Sequence, residues 1–189
     1  MESLAQVRVR ISELIAGSAV PEDPRHSTNT LEWLLKFEPD ADDALQLAAL
    51  GHDIDRAVEA SKVLRADFFD YDDFKTAHAK HSAEMLLEIF QQCGVEDRAL
   101  ADELYRLVCV HEVGVDARSD LLVDADSLSY FDVNLLLYRE RNSFEETLRR
   151  CVWGYGRLSE RAKSIALRLH PPGDELAGLM EEVRVQAGG

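Results

Sequence analysis

The segment Leu47-Ala48-Ala49-Leu50-Gly51-His52-Asp53 is the most informative part of the sequence about the fold and the chemistry of this chain. Its small and apolar residues predict a short helix that lies close against its neighbours. A histidine and an aspartate follow directly. A carboxylate buried at this point is costly unless it is paired or coordinated. His52 and Asp53 are therefore candidate ligands, although a His-Asp pair alone is a weak signal because chance often produces one.

Helical spacing continues from this segment in both directions along the chain. Strand-like alternation is nowhere sustained, and no Asn-Gly or Asp-Gly hairpin turn occurs. The spacing predicts helical segments over 2–16, from Ser27 or Thr28 through Leu35, from Pro39–Asp42 to Gly51, over 73–93, 97–112, 120–140, 143–169 and 174–186. We therefore predict an all-α fold in which residues 1–189 form one domain, since 189 residues suit a single domain.

Composition limits the partners of the chain. It has 21 Lys and Arg against 36 Asp and Glu, a net charge of −15, which disfavours a nucleic-acid polymer or an anionic membrane surface as partner. A local basic pocket or a bound cation is compatible with this charge. No apolar run reaches the roughly 18 residues of a membrane span. The odd count of three cysteines and the absence of a signal-like start lead us to expect a reduced, cytoplasmic protein.

Further histidines and an aspartate lie in apolar helical contexts. His26 precedes His52-Asp53, while His78, His111 and Asp126 follow. A neutral imidazole on a core face needs a partner for its ring nitrogens. One such histidine is usually a hydrogen-bonded core residue, but several in one small helical domain indicate a shared partner, for which a metal ion is the simplest candidate.

This ordered set resembles the HD-domain superfamily of helical metal-dependent phosphohydrolases, over about residues 25–130. The resemblance implies a helical bundle with an HD core at 25–130 and C-terminal helices at 143–186 packed on it. It also implies one divalent metal ion on His26, His52, Asp53 and Asp126, and in the dinuclear branch a second on His78 and His111 with Asp53 bridging. Such sites take Mn, Fe, Mg, Co, Ni or Zn, and the number of ions stays open.

Either His78 or His81 can be the ligand on the fourth predicted helix. At about 100° per residue, His78 shares its face with Ser82, Leu86 and Ile89, whereas His81 shares a stripe with Glu84 and Glu88. We therefore favour His78 as the ligand. The alternative roles for His81 are a partly solvated side chain or a contact to a substrate phosphate.

The candidate substrate contacts are basic residues close to these motifs. Arg56 stands one turn after Asp53, where HD enzymes often carry Lys, Arg or Glu near the scissile group. We therefore take Asp53 and Arg56 as the candidate catalytic pair, while a surface ion pair remains the alternative for Arg56. Arg25, Lys80 and His81 are weaker candidates for binding phosphate.

The resemblance implies a metal-dependent phosphohydrolase that uses a metal-activated water on a nucleotide or another small phosphate ester. Val113-Gly114-Val115-Asp116 follows His111-Glu112, in place of the Gly-Tyr-Pro ending of cyclic-dinucleotide enzymes, and disfavours that activity. Two alternatives stay open. One is a mixed-valent di-iron oxygenase of the same superfamily, and the other is a non-catalytic protein that binds a metal or ligand. A homodimer is also left open.

Overall fold

The computed structural model describes residues 2–169 and 171–187, and these residues form helices and connecting loops without a β-strand. The all-α prediction is confirmed for this part of the chain. The α-helices are α1 (Glu2–Ala16), α2 (Asp23–Phe37), α3 (Asp43–Gly51), α4 (Tyr71–Gln92), α5 (Arg98–Cys109), α6 (Ala117–Ser129), α7 (Leu135–Arg141), α8 (Phe144–Arg157), α9 (Glu160–Ala166) and α10 (Asp174–Ala187). Short 3₁₀ turns cover Ile54–Ala57 and Arg65–Asp67, and a π-helical turn covers Tyr130–Asn134.

Aspartate and serine side chains start most of these helices. Each accepts a hydrogen bond from a backbone N–H in the first turn, which satisfies a donor that has no partner within the helix. The capping residues are Asp42, Asp70, Asp97, Asp116, Ser143 and Ser159. Gly94, with φ of +68°, ends the segment after α4 in a left-handed conformation that glycine adopts without strain.

In two predicted helical segments the boundaries are wrong by more than about three residues. Helix α2 begins at Asp23, ahead of Ser27 and Thr28, because Pro24 fits the first turn of a helix, where its missing N–H costs no hydrogen bond. The Ser27 hydroxyl instead donates to the Leu50 carbonyl of α3. The predicted segment 143–169 is divided, because Leu158 is extended and Ser159 caps a new helix.

Helix α3 lies at the centre of the bundle. It packs against α2, α5 and α6, while α4 packs on α5. Leu47, Ala48 and Ala49 are fully buried. A Cβ added to Gly51 would lie 2.6 Å from Leu86 Cδ2, so the close approach expected of this small-residue helix occurs. The C-terminus of α3 therefore places His52 and Asp53 in the interior of the bundle.

The C-terminal helices contribute to the same core as the central helices. Helix α8 packs against α6, α7 and α10. Cys151 and Leu179 are fully buried within the same apolar core as α3. Among the described residues, no helix combines the length and apolar character that a membrane crossing requires. The sixth histidine of the chain, His170, was not a candidate ligand and lies outside the described residues.

Candidate metal centre

The six predicted ligands come from five separate segments and meet in the interior. His26 lies on α2 and His78 on α4, His52 caps the end of α3, His111 follows α5 and Asp126 lies on α6. Two trios have ligand atoms within 4.8 Å of one another, namely His26, His52 and Asp53, and Asp53, His78 and His111. These trios can each hold a metal ion, and they share Asp53.

The two carboxylate oxygens of Asp53 point to different trios. Oδ2 lies 3.8 Å from both His26 Nε2 and His52 Nε2. Oδ1 lies 2.9 Å from His78 Nε2 and 3.8 Å from His111 Nε2. Asp126 completes the first group, since its Oδ1 lies 3.2 Å from His26 Nε2 and 3.4 Å from His52 Nε2. Asp53 is thus placed to bridge two cations.

Hydrogen bonds on the far side of two rings fix the tautomers of His52 and His111. Their Nδ1–H groups donate to backbone carbonyl oxygens, His52 to Ala49 at 3.1 Å and His111 to Val108 at 2.7 Å. In the neutral ring the lone pair is then on Nε2, the nitrogen that faces the carboxylates. His52 Nε2 is buried and has no hydrogen-bond partner, which is unusual for a core nitrogen.

Side-chain partners orient the other two rings in the same way. The Ser129 hydroxyl donates to the His26 carbonyl, so its oxygen accepts from His26 Nδ1–H at 2.9 Å. His78 Nδ1–H donates to Asp55 Oδ2 at 2.7 Å. All four rings therefore present Nε2 to the same centre. This arrangement of donor atoms fits a borderline or hard divalent ion.

Asp55 is a site residue that the sequence analysis missed. It is almost fully buried, and besides His78 it accepts from the Val63 N–H at 3.0 Å and contacts His81 Nδ1. A carboxylate behind a metal-facing imidazole orients the ring and raises its basicity. The only signal for Asp55 in the sequence was its place two residues after Asp53, which does not reveal that it lies behind His78.

The electrostatics of the centre follow from burial and from its two carboxylates. Burial by itself lowers the pKa of His52 and of His78. Nearby carboxylates outweigh this effect and raise each pKa to about 9, namely Asp53 and Asp126 beside His52, and Asp53 and Asp55 beside His78. Burial raises the pKa of Asp53, but Arg56 and the histidines outweigh it and hold that pKa well below its usual range. Without a cation, the His52 and His78 rings thus take up protons.

Arg56 lies where the sequence analysis expected a catalytic or substrate-binding cation. Its Nη1 donates to Asp53 Oδ2 and its Nη2 to Asp23 Oδ1, both at 2.6 Å. The side chain is 35% exposed and lines the cavity above the centre. It therefore contacts a candidate metal ligand directly and still faces the space that a substrate would occupy.

The other three predicted substrate contacts lie away from this cavity. Arg25 makes a bidentate ion pair with Glu32 on the surface of α2. Lys80 is 61% exposed and lies near Glu84. His81 contacts Asp55 rather than the centre, and the structure places His78, not His81, among the clustered ligands.

A cavity of about 810 Å³ opens above the centre. In a chain with 21 basic and 36 acidic residues, seven basic and six acidic residues line it, so its walls are much less acidic than the rest of the protein. No sequence pattern indicated the basic residues of α8 in this wall, which are Arg149, Arg150 and Arg157. They follow the histidine motifs by about 40 residues, and no spacing rule connects them to the centre.

The chain was compared with known families and proteins. No curated protein and no solved structure matches it. A family model described as a domain of unknown function, DUF4202, matches residues 11–179, which include all six candidate ligands and α8. Since this match covers most of the chain, the protein belongs to the DUF4202 family.

Proposed function

We propose that this protein is a cytoplasmic, single-domain, HD-type metal-dependent phosphohydrolase that cleaves a nucleotide or another small phosphate ester. The observation that carries the proposal is the convergence of four Nε2 atoms on one shared aspartate, with each ring fixed from behind through Nδ1. Histidines that only support a fold have partners for both ring nitrogens, whereas His52 Nε2 has none.

The same residues define how a cation would be held. His26, His52, Asp53 and Asp126 would hold one divalent ion, and His78, His111 and Asp53 a second. Such an ion, when bound, lowers the pKa of a water molecule and polarises a phosphoryl oxygen. Hydrolysis of the ester forms one bond from the water oxygen to phosphorus and breaks the ester P–O bond. One proton of the water ends on the leaving oxygen, and no oxidation state changes.

Residues of the chain itself supply positive charge next to this centre. Arg56 donates to Asp53 at 2.6 Å, and Arg157 Nη2 lies 3.6 Å from Asp126 Oδ2. Both guanidinium groups line the cavity. Guanidinium binds phosphoryl oxygens in a planar, bidentate manner. We expect these two arginines to orient the reacting phosphate and to stabilise the charge that develops on it.

The size of the cavity supports a small substrate. A volume of about 810 Å³ is in the range of pockets that enclose metabolite-sized ligands. The net charge of −15 opposes a polymeric nucleic acid, whereas the mixed charges of the cavity wall do not oppose a small anion. The size of the cavity and the charges of its wall thus favour a phosphorylated small molecule as substrate.

Metal analysis of freshly purified protein, followed by a phosphate-ester screen with the metal found, tests the proposal. We expect bound divalent metal and phosphate release under anaerobic conditions. His52→Ala and Asp53→Ala should lose both metal and turnover. Bound iron with an oxygen-dependent reaction would indicate the di-iron oxygenase instead. Failure across a broad panel with Mn, Ni, Co, Mg and Fe, together with a ligand that raises the melting temperature, would indicate a binding protein.

A further inference from the structure

We infer that α8 and Lys75 form a second anion subsite in the cavity wall, and that the substrate therefore carries two or more linked phosphoryl groups. This inference rests on the proposed function, which places the reacting phosphate at the metal centre. The subsite surrounds the Trp153 ring and consists of Arg150, Arg157 and Lys75. None of these residues belongs to the six ligands.

Arg150 lines this wall without a protein counter-ion. Its guanidinium carbon lies 4.4 Å from the Trp153 ring centroid and 4.9 Å from that of Tyr130. Among the described residues, no carboxylate comes within ion-pair distance of it, whereas the adjacent Arg149 pairs with Glu146. In a chain with 36 acidic residues, a cavity arginine held only by aromatic rings is available for an anionic ligand.

Lys75 adds a second, more deeply placed cation. Its side chain is only 10% exposed, and Nζ lies 4.9 Å from the Trp153 centroid. Its carboxylate partner, Asp72 at 3.1 Å, is itself 85% exposed, so water weakens that ion pair. A buried ammonium group is costly unless it is compensated. An anion in the cavity would provide further compensation.

Arg157 connects this subsite to the metal centre. Its guanidinium carbon lies 4.4 Å from the Trp153 centroid, and its Nη2 lies 3.6 Å from Asp126 Oδ2. The Nε atom of Arg157 is buried and has no hydrogen-bond partner. Arg157 therefore contacts both the Trp153 ring and a candidate metal ligand, and Arg150 contacts the same ring.

The cations around Trp153 lie close enough together to bind one phosphoryl group. The guanidinium carbons of Arg150 and Arg157 are each 4.4 Å from the Trp153 centroid, and Lys75 Nζ is 4.9 Å from it. Arg150, Trp153 and Arg157 follow at i, i+3 and i+7 and thus share a helix face. With the reacting phosphate at the metal centre, these cations provide a place for a second, linked phosphoryl group, since guanidinium groups bind phosphoryl oxygens bidentately.

Calorimetric titration of the full-length protein with orthophosphate and with tripolyphosphate tests the subsite. The titrations are done in metal-free buffer, because tripolyphosphate itself chelates divalent ions. We expect tripolyphosphate to bind at least about tenfold more tightly than orthophosphate. Arg150→Gln and Lys75→Gln should each reduce this preference by roughly tenfold, as expected for the loss of a charged hydrogen bond.

Arg161→Gln is the matched control. Arg161 also lies over an aromatic ring, at 4.6 Å from the Phe37 centroid, but it does not line the cavity. The preference should be unchanged in this variant, and melting curves verify that every variant is folded. Equal affinity for the two anions, or an equal loss in Arg161→Gln, would overturn the inference. Because no metal is used, this result is independent of the metal analysis that tests the proposed function.

Discussion

Each clustered imidazole is oriented by a bond made on the far side of its own ring. His52 and His111 use backbone carbonyls, which the local chain supplies three residues earlier. His26 and His78 use the side chains of Ser129 and Asp55, which come from distant parts of the sequence. Backbone partners are fixed by the helix itself, so the side-chain partners are the positions where substitution gives the clearest effects.

The neighbouring histidines of α4 give the first prediction. His78→Ala removes a ring whose Nε2 lies 2.9 Å from Asp53 Oδ1, whereas His81→Ala removes a ring that contacts only Asp55 among the site residues. We expect His78→Ala to lose more metal and more turnover than His81→Ala. Elemental analysis of both purified variants measures this. If His81→Ala is the variant stripped of metal, the helix-face argument for His78 is wrong.

Asp55→Asn tests the carboxylate behind His78. The amide keeps the size of the side chain but removes the charge that supports the imidazole, so we expect metal affinity to fall roughly 10–100-fold. Competition with a chromogenic chelator measures it. Asp124→Asn is the control, because Asp124 is also buried but accepts from the Ser159 N–H, away from the centre. Equal affinities in the two variants would argue against a positioning role for Asp55.

Metal binding should depend on pH through His52 and His78. Asp53 and Asp126 raise the pKa of His52 to about 9, and Asp53 and Asp55 raise the pKa of His78 to about 9, in both cases against the effect of burial. Both rings are therefore protonated at neutral pH in the metal-free protein. A metal ion must displace both protons. Affinity should therefore rise with pH up to about 9 and then level off, and binding at pH 7.5 should release two protons. Calorimetry in buffers of different ionisation enthalpy counts them, and a count of zero would contradict this.

At the scale of elements, the short helix α3 has the strictest steric requirement. Gly51 ends it against the fully buried Leu86 of α4, and this contact sets the distance between the segment that carries His52 and Asp53 and the helix that carries His78. Close packing of two helices is thus coupled to the geometry of the centre.

Gly51→Ala should destabilise the protein by about 1–3 kcal/mol, since the added methyl group forces a buried leucine out of place. Gly156→Ala on α8 is the matched control, because a Cβ there meets no atom within 4 Å. That change should stabilise the helix by roughly 0.5–1 kcal/mol. Urea unfolding of both variants provides the comparison. Equal stability of the two would show that Leu86 moves aside without cost.

At the scale of the whole molecule, the centre joins five segments of the bundle through charges that a cation would balance. Asp53 and Asp126 are 18% and 13% exposed and face each other across histidines. Without a metal ion, only protons and the two nearby arginines compensate these carboxylates. Metal binding should therefore stabilise the entire fold and not only the site.

Metal removal is expected to lower the melting temperature. A ligand at about 100 times its Kd stabilises the folded state by about 2.7 kcal/mol, which corresponds to about 5–10 °C for a chain of this size. Calorimetric melting with and without a chelator measures the shift. Asp53→Ala, which removes the carboxylate shared by the two trios, should melt at the same temperature under both conditions. A chelator effect that persists in this variant would mean that the stabilising ion binds elsewhere.

Sequence patterns by themselves determined the helical class and the central small-residue helix, through local spacing. The six candidate ligands were indicated by the cost of burying a charge and by resemblance to a family, and the structure brings them together. Only the tertiary structure decided the rest. It placed Asp55 behind His78, brought α8 with Arg150 and Trp153 to the cavity, and left Arg25 and Lys80 on the surface. The physical reason is that these outcomes depend on which helix faces meet, and residues far apart in the chain settle that together.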